Sequence, residues 1–224
     1  RAFRVNAKGA GNVALAVRQI PHCRLFHIST NAIFDGDPSR QKPFQENDKP
    51  TIAKLGVYAA SKLAGEREVV KVLKERGYII RTSWLYGQAG KKNFVKMILT
   101  LVENKIPLSV VTDEISTPTY TLDLAEGLEK LYRVDPPPDI YHLINEGRAS
   151  RYDFAKVIIK FSQKPNYPIK KTVLKKYLAQ NPRPSPVPRF SVLQNVKAAK
   201  LGIKLRPWQK ALKAFLFSLK QKHH

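Results

Sequence analysis

A chain of 224 residues with 43% apolar content is long enough for one sizeable core, or for one core with a smaller lobe. It has no run of eighteen apolar residues and no uninterrupted apolar stretch in Arg1–Gly9, so neither a membrane-spanning helix nor a secretory signal is expected. The single cysteine, Cys23, makes an internal disulfide impossible, and a reducing cytoplasm is the simplest home; forty Lys and Arg against 17 Asp and Glu leave a charge of +23.

In chain order, residues from about Val5 to Ile20 read as a helix with Val5, Val13, Ala14, Ala16 and Val17 as its apolar stripe. The Asn6–Gly11 stretch inside it is not a phosphate loop, because no strand precedes it and its glycines are wrongly spaced for G-x-G-x-x-G. Arg24–Thr30 is an apolar run ending in two hydroxyls. As a parallel strand it would place Ser29 and Thr30 at its carboxyl end, where open α/β sheets hold their ligands. A polar crossover punctuated by proline follows from Asp37 to Thr51.

The next segment, V-Y-A-A-S-K-L-A-G-E from Val57 to Glu66, continues through helix formers to Val72. Tyr58 and Lys62, four residues apart, fall on one helical face one turn apart. An ammonium beside a phenol favours the phenolate. A hydroxyl so tuned can protonate the alkoxide formed when a cofactor delivers hydride to a carbonyl carbon. The spacing alone recurs on many solvated helices, so the reading depends on Thr30 standing beside it. Gly65 and Glu66, a turn past Lys62, read as packing residues.

Tyr78–Ser83 reads as the next parallel strand, and Gly90 opens a helix running through Glu103 in which Lys91 and Lys92 could face phosphate. Leu108–Thr112 is a further strand. The helix that ends near Arg133 begins at Thr121, which or whose neighbours would cap it, with Asp123 supporting its start. Asp139–Leu143 is a strand that encloses His142 as a packed histidine. Beyond it come a helical pattern at Phe154–Ile159, a linker at Lys164–Pro168, a proline-rich segment from Asn181 to Pro188, and an amphipathic helix from Pro207 with Trp208, Leu212, Phe215 and Leu219 on one side. Residues 151–224 hold 18 basic residues and one acid, Asp153, a surface that attracts polyanions. Nucleic acid has only this charge behind it, and a solvated basic surface is the plainer alternative.

Five stretches together carry a resemblance: Ser29-Thr-Asn-Ala-Ile-Phe-Asp-Gly36, Tyr58-Ala-Ala-Ser-Lys-Leu-Ala-Gly-Glu66, Arg81-Thr-Ser-Trp-Leu-Tyr-Gly87, Pro118-Thr-Tyr-Thr-Leu-Asp-Leu-Ala125 and Tyr141-His-Leu143. In this order they resemble the dTDP-4-dehydrorhamnose reductase family of the extended short-chain dehydrogenases/reductases. The resemblance implies an α/β fold: a Rossmann-like parallel sheet with helices on both faces over residues 1–145, of which 84–105 turn to the substrate side. A small, mostly substrate-binding lobe would occupy 146–224. Also implied are NADPH or NADH as cofactor, a dTDP-sugar substrate, and compatibility with a homodimer; no metal is assigned. A catalytically silent relative, like the methionine adenosyltransferase β subunit, is the alternative.

The resemblance assigns catalysis to Thr30, Tyr58 and Lys62, cofactor contacts to Ser29, Tyr58, Lys62 and Ser83, and substrate contacts to Asn31, Trp84, Asn93, Phe94 and Arg189. Asn31 and Ala32 stand where the family usually has Asp and Tyr. Val187 stands where an arginine is expected, with Arg183 or Arg189 as its substitute. The first strand, glycine-rich turn and helix of a Rossmann half have no counterpart before Arg1, so the reading is of an amino-terminally incomplete reductase.

Overall fold

The computed structural model describes every residue except 35–38, 52–54, 91–92, 163, 184 and 222–224. Asp35 and Gly36 of the first motif, and Lys91 and Lys92, therefore lie outside the described residues.

A π-helical stretch, Arg4–Gly9, runs into α1 (Ala10–Gln19), followed by β1 (Leu25–Thr30), a 3-10 turn at Asn31–Ile33, and α2 (Val57–Leu73). Then come β2 (Gly77–Thr82), β3 (Leu85–Tyr86), α3 (Phe94–Glu103), β4 (Leu108–Val111), β5 (Ile115–Ser116) and β6 (Thr119–Tyr120). α4 (Thr121–Val134), β7 (Ile140–His142), β8 (Ala149–Ser150) and α5 (Arg151–Phe161) lead to β9 (Ile169–Thr172), α6 (Leu174–Gln180), α7 (Lys197–Lys200) and α8 (Trp208–Lys220).

The central sheet is parallel, ordered β1-β2-β7, with Thr30 opposite Thr82 and Arg81 opposite His142. β2 is buried along its whole length, which explains its unbroken apolar core of Tyr78, Ile79 and Ile80. Alternation sends Ile79 towards Ala10, Ala14, Val69 and Leu73 of α1 and α2, and sends Tyr78 and Ile80 towards Leu124 and Leu131 of α4. The sheet thus carries helices on both faces. Ala198, Ile203 and Leu205, late in the chain, join the α4 side.

A second core binds α3, α5 and α8 through Val95, Ile98, Phe154, Ile158, Leu212 and Phe215. Its α5 is closed by a capping box in which Ser150 and Asp153 bond reciprocally to backbone. The two parts are stitched by charge. Arg151 and Arg183 pair with Glu114, Arg189 with Asp113, Lys197 with Asp139 and Arg206 with Asp123, so five cations of the basic last third meet acids from the first 150 residues.

The first helix departs from its expected stripe. It packs on α2 through small residues, Ala10, Gly11 and Ala14, while Val5 is 60% and Val13 is 51% exposed and Ala16 is exposed as well. The approach is closest at Gly65, where an added Cβ would stand 2.1 Å from the Asn6 carbonyl oxygen. Thr121 is the first residue of α4 and gives it no side-chain cap; Asp123 in that first turn is buried and held by Arg206 and Asn145. His142 is fully buried, its Nδ1 is 3.0 Å from the Gln194 carbonyl, and burial, then Arg81, pushes its pKa down to about 3.

Candidate active site

The site forms where β1 ends and α2 begins. Gly56 sits at the start of α2 because a Cβ there would fall 2.3 Å from Ser185 Oγ and 2.5 Å from Pro186, so the proline-rich segment packs directly on the helix start. Tyr58, one residue into the helix, is 48% exposed, and its hydroxyl has no partner among the described residues. One turn on, Lys62 Nζ donates to the Ile28 carbonyl at 2.6 Å, two residues before Thr30. Burial lowers the Lys62 pKa and the Glu66 carboxylate opposes that shift. Among the described residues the ammonium takes no other partner, which leaves two donors for a ligand.

Thr30 and Ser29 point to opposite sides of β1, as neighbours on a strand must. Thr30 Oγ1 accepts from the Ala32 N–H at 3.1 Å, which starts the turn, and makes a long 3.4 Å contact to Asn31 Oδ1. Ser29, expected beside a cofactor, instead donates to Glu66, which also takes two bonds from Arg81 at 2.8 and 3.1 Å. Next to this buried pair, His27 is driven down to about 4, first by burial and then by Lys62, against the pull of Glu66. Glu66 is therefore structural, as its place in the motif suggests.

A cleft of about 330 Å³ opens against Tyr58, lined also by Asn31, Trp84, Glu114, Arg151 and Arg183. Trp84 adopts φ +41°, a left-handed conformation that costs a bulky residue roughly 1–3 kcal/mol, and such strain collects at functional sites. One face of its indole is covered by Arg151, whose guanidinium carbon lies 3.6 Å from the ring centroid and 5.0 Å from that of Phe94. Arg151 Nε bonds Glu114 at 2.8 Å, and Arg183 reaches the same carboxylate at 3.4 Å. Burial draws the Arg151 pKa down and Glu114 restrains it.

Of the residues expected to touch substrate, Asn31 and Trp84 line the cleft and Phe94 supports Arg151 from below. The Asn31 amide is committed to Ser116 and Ser191 at 2.7 to 3.1 Å, so it holds the cleft wall as well as lining it. Asn93 caps α3 through the Lys96 N–H and donates to the Gly87 carbonyl, a structural duty away from the cleft. Ser83 is buried and donates to the Thr117 carbonyl at 2.6 Å. Arg189 is 2.7 Å from Asp113 outside the cleft, whereas Val187 and Arg183 lie in it, so Arg183 is the available substitute for the missing arginine. Glu114 and Arg151 were not singled out from the sequence. Arginine at the first position of a helix, where the macrodipole disfavours a cation, was the one local sign.

A family model described as RmlD substrate binding domain matches residues 1–221. The chain is 38% identical over 216 residues to the spore coat polysaccharide biosynthesis protein SpsK of Bacillus subtilis, covering 96% of this chain and 71% of that one. It is 36% identical over 214 residues to a dTDP-4-dehydrorhamnose reductase of Mycobacterium tuberculosis, covering 94% and 68%. Among solved structures, dTDP-4-dehydrorhamnose reductase of Bacillus anthracis in complex with NADP superposes with a TM-score of 0.86 at 32% identity, covering 95% of this chain and 72% of that one. The counterpart from Clostridium acetobutylicum gives 0.87 at 31% identity, covering 97% and 73%.

Proposed function

The chain belongs to the RmlD substrate binding domain family, and from that membership we propose that it reduces the 4-keto group of dTDP-4-dehydro-L-rhamnose to dTDP-L-rhamnose with NADPH. The observation that carries this reading is the placement of Tyr58 on the cleft with Lys62 anchored just upstream of Thr30. The residues present fit the nicotinamide-ribose end of such a cofactor: an exposed phenol without a partner among the described residues, and beside it an ammonium with two spare donors. When bound, the cofactor supplies the hydride that goes to the carbonyl carbon.

In this reading Tyr58 gives its proton to the carbonyl oxygen and recovers one from solvent, to which it is open. Thr30 orients the keto oxygen by exchanging its long Asn31 contact for a bond to the ligand. Lys62 bonds the ribose hydroxyls with the donors that Ile28 leaves free. Residues 1–145 form part of the cofactor side, 84–105 face the sugar, and 146–224 mostly form the substrate side, apart from the return to the sheet at 198–205. A cytoplasmic setting follows from this chemistry. No helix among the described residues is long and apolar enough to cross a membrane.

The test is Tyr58→Phe, followed by NADPH oxidation in the presence of dTDP-4-dehydro-L-rhamnose. Loss of general acid catalysis predicts a fall in kcat of ~100-fold or more. A variant that keeps the wild-type rate would refute the assignment.

A further inference from the structure

We propose that Arg151, with Arg183 beside it, grips the diphosphate of the nucleotide sugar, and that Trp84 serves in this chain as the platform for that guanidinium. The identity of the ligand rests on the reductase reading; the anion site itself rests on geometry.

Among the described residues that line the cleft, Glu114, Arg151 and Arg183 are the only charged ones. Two guanidinium groups share one carboxylate, itself only 2% exposed, so this wall carries one positive charge in excess. The sharing leaves donors free. Arg151 spends its Nε–H on Glu114, and neither of its terminal nitrogens has a partner among the described residues. Arg183 makes one long hydrogen bond, and its guanidinium carbon lies 5.5 Å from the Tyr177 ring centroid. A planar fork with unspent N–H groups matches two phosphate oxygens at once.

The fork is also held in one orientation. The indole of Trp84 fixes the plane of the Arg151 guanidinium from one side at 3.6 Å, and Glu114 fixes its rotation within that plane. The strained backbone of Trp84 is accounted for if the indole must lie under the arginine. This adds to the part expected of Trp84: one face of its indole carries a cation. The wall also contains Val187, where the resembled reductases carry an arginine. Arg151 and Arg183 supply there the charge that this position lacks.

The test is calorimetric titration of the protein with dTDP and, separately, with thymidine. Arg151→Gln and Arg183→Gln remove one cation each, and Lys156→Gln, on the exposed side of α5, controls for net charge. Arg151→Gln is expected to weaken dTDP binding by ~10-fold or more, the scale of a lost charge-assisted bond, with thymidine affinity unchanged. Arg151→Lys restores only part of the loss, because a point charge neither stacks nor forks. If Arg151→Gln does not fold, Arg183→Gln, on a partly exposed segment, decides the matter with the same readout.

Unchanged dTDP affinity in the arginine variants overturns the proposal and leaves the reductase reading standing. So does an equal loss for thymidine, which would mark general damage to the cleft. A wild-type protein that binds no dTDP overturns both.

Discussion

Replacing Glu66 by glutamine isolates the buried pair beneath the site. Glu66 and Arg81 have side chains only 5% and 3% exposed, joined by two bonds, with Ser29 donating to the same carboxylate. Glutamine keeps the volume but strands the Arg81 charge, whose Nη1 is already without a partner among the described residues. Breaking a buried pair from one side costs about 3–5 kcal/mol. Unfolding entropy near 2 cal/mol/K per residue over 224 residues turns that into a melting temperature lower by roughly 6–11 °C. The assay is thermal unfolding followed by circular dichroism at neutral pH. Removing both charges, with Glu66→Leu and Arg81→Met together, is expected to cost less than Glu66→Gln alone, because no uncompensated ion remains. A single-variant shift below about 2 °C, or a double variant worse than the single one, would refute the reasoning.

Gly65→Ala drives a methyl group into the Asn6 carbonyl, where the π-helical stretch meets α2, and should cost about 1–3 kcal/mol in denaturant titration, whereas Gly90→Ala, with its nearest atom at 3.9 Å, should cost little by this steric route. The buried histidines predict acid sensitivity. His27 and His142, with folded pKa values near 4 and 3, stay neutral in the fold while the unfolded chain protonates them below 6.5. Their contribution is therefore complete above pH 6.5 and falls as pH drops towards 4, each by at most ~1.4 kcal/mol per pH unit. Urea midpoints measured between pH 7 and 5 should decline, and less steeply in His142→Gln; a midpoint flat across that interval would contradict the prediction.

What the sequence disclosed and what it withheld divide along a physical line. Local pattern located β1, β2, α2 and α4 closely, because apolar alternation and helical spacing act over a few residues, and motif order pointed to the family. The positions of Thr30 at the end of β1 and of Tyr58 and Lys62 one turn apart on α2 were legible for the same reason. Ser29, Ser83 and Asn93 have scaffold bonds that local pattern did not reveal, because a polar side chain near a strand or helix end has two uses. All three serve the scaffold, through Glu66, the Thr117 carbonyl and the cap of α3. For Ser29 the bond to Glu66 was implicit in part, since strand alternation turns it to the side opposite Thr30.

The cluster of Arg151, Glu114 and Arg183 was out of reach of such arguments: its members are separated by 37 and 69 residues, and no periodicity connects them. It also bears on the charge imbalance that composition left unexplained. Cations of the last third that meet Asp113, Glu114, Asp123 and Asp139 do not simply face solvent; they hold the later part of the chain to the earlier one. At Asp123 one arginine meets one carboxylate, and the charge is cancelled. At Glu114 two arginines meet one carboxylate, and the charge left over opens into the cleft. The same stitching that closes the fold thus leaves an unbalanced cation where an anionic substrate would lie against Tyr58.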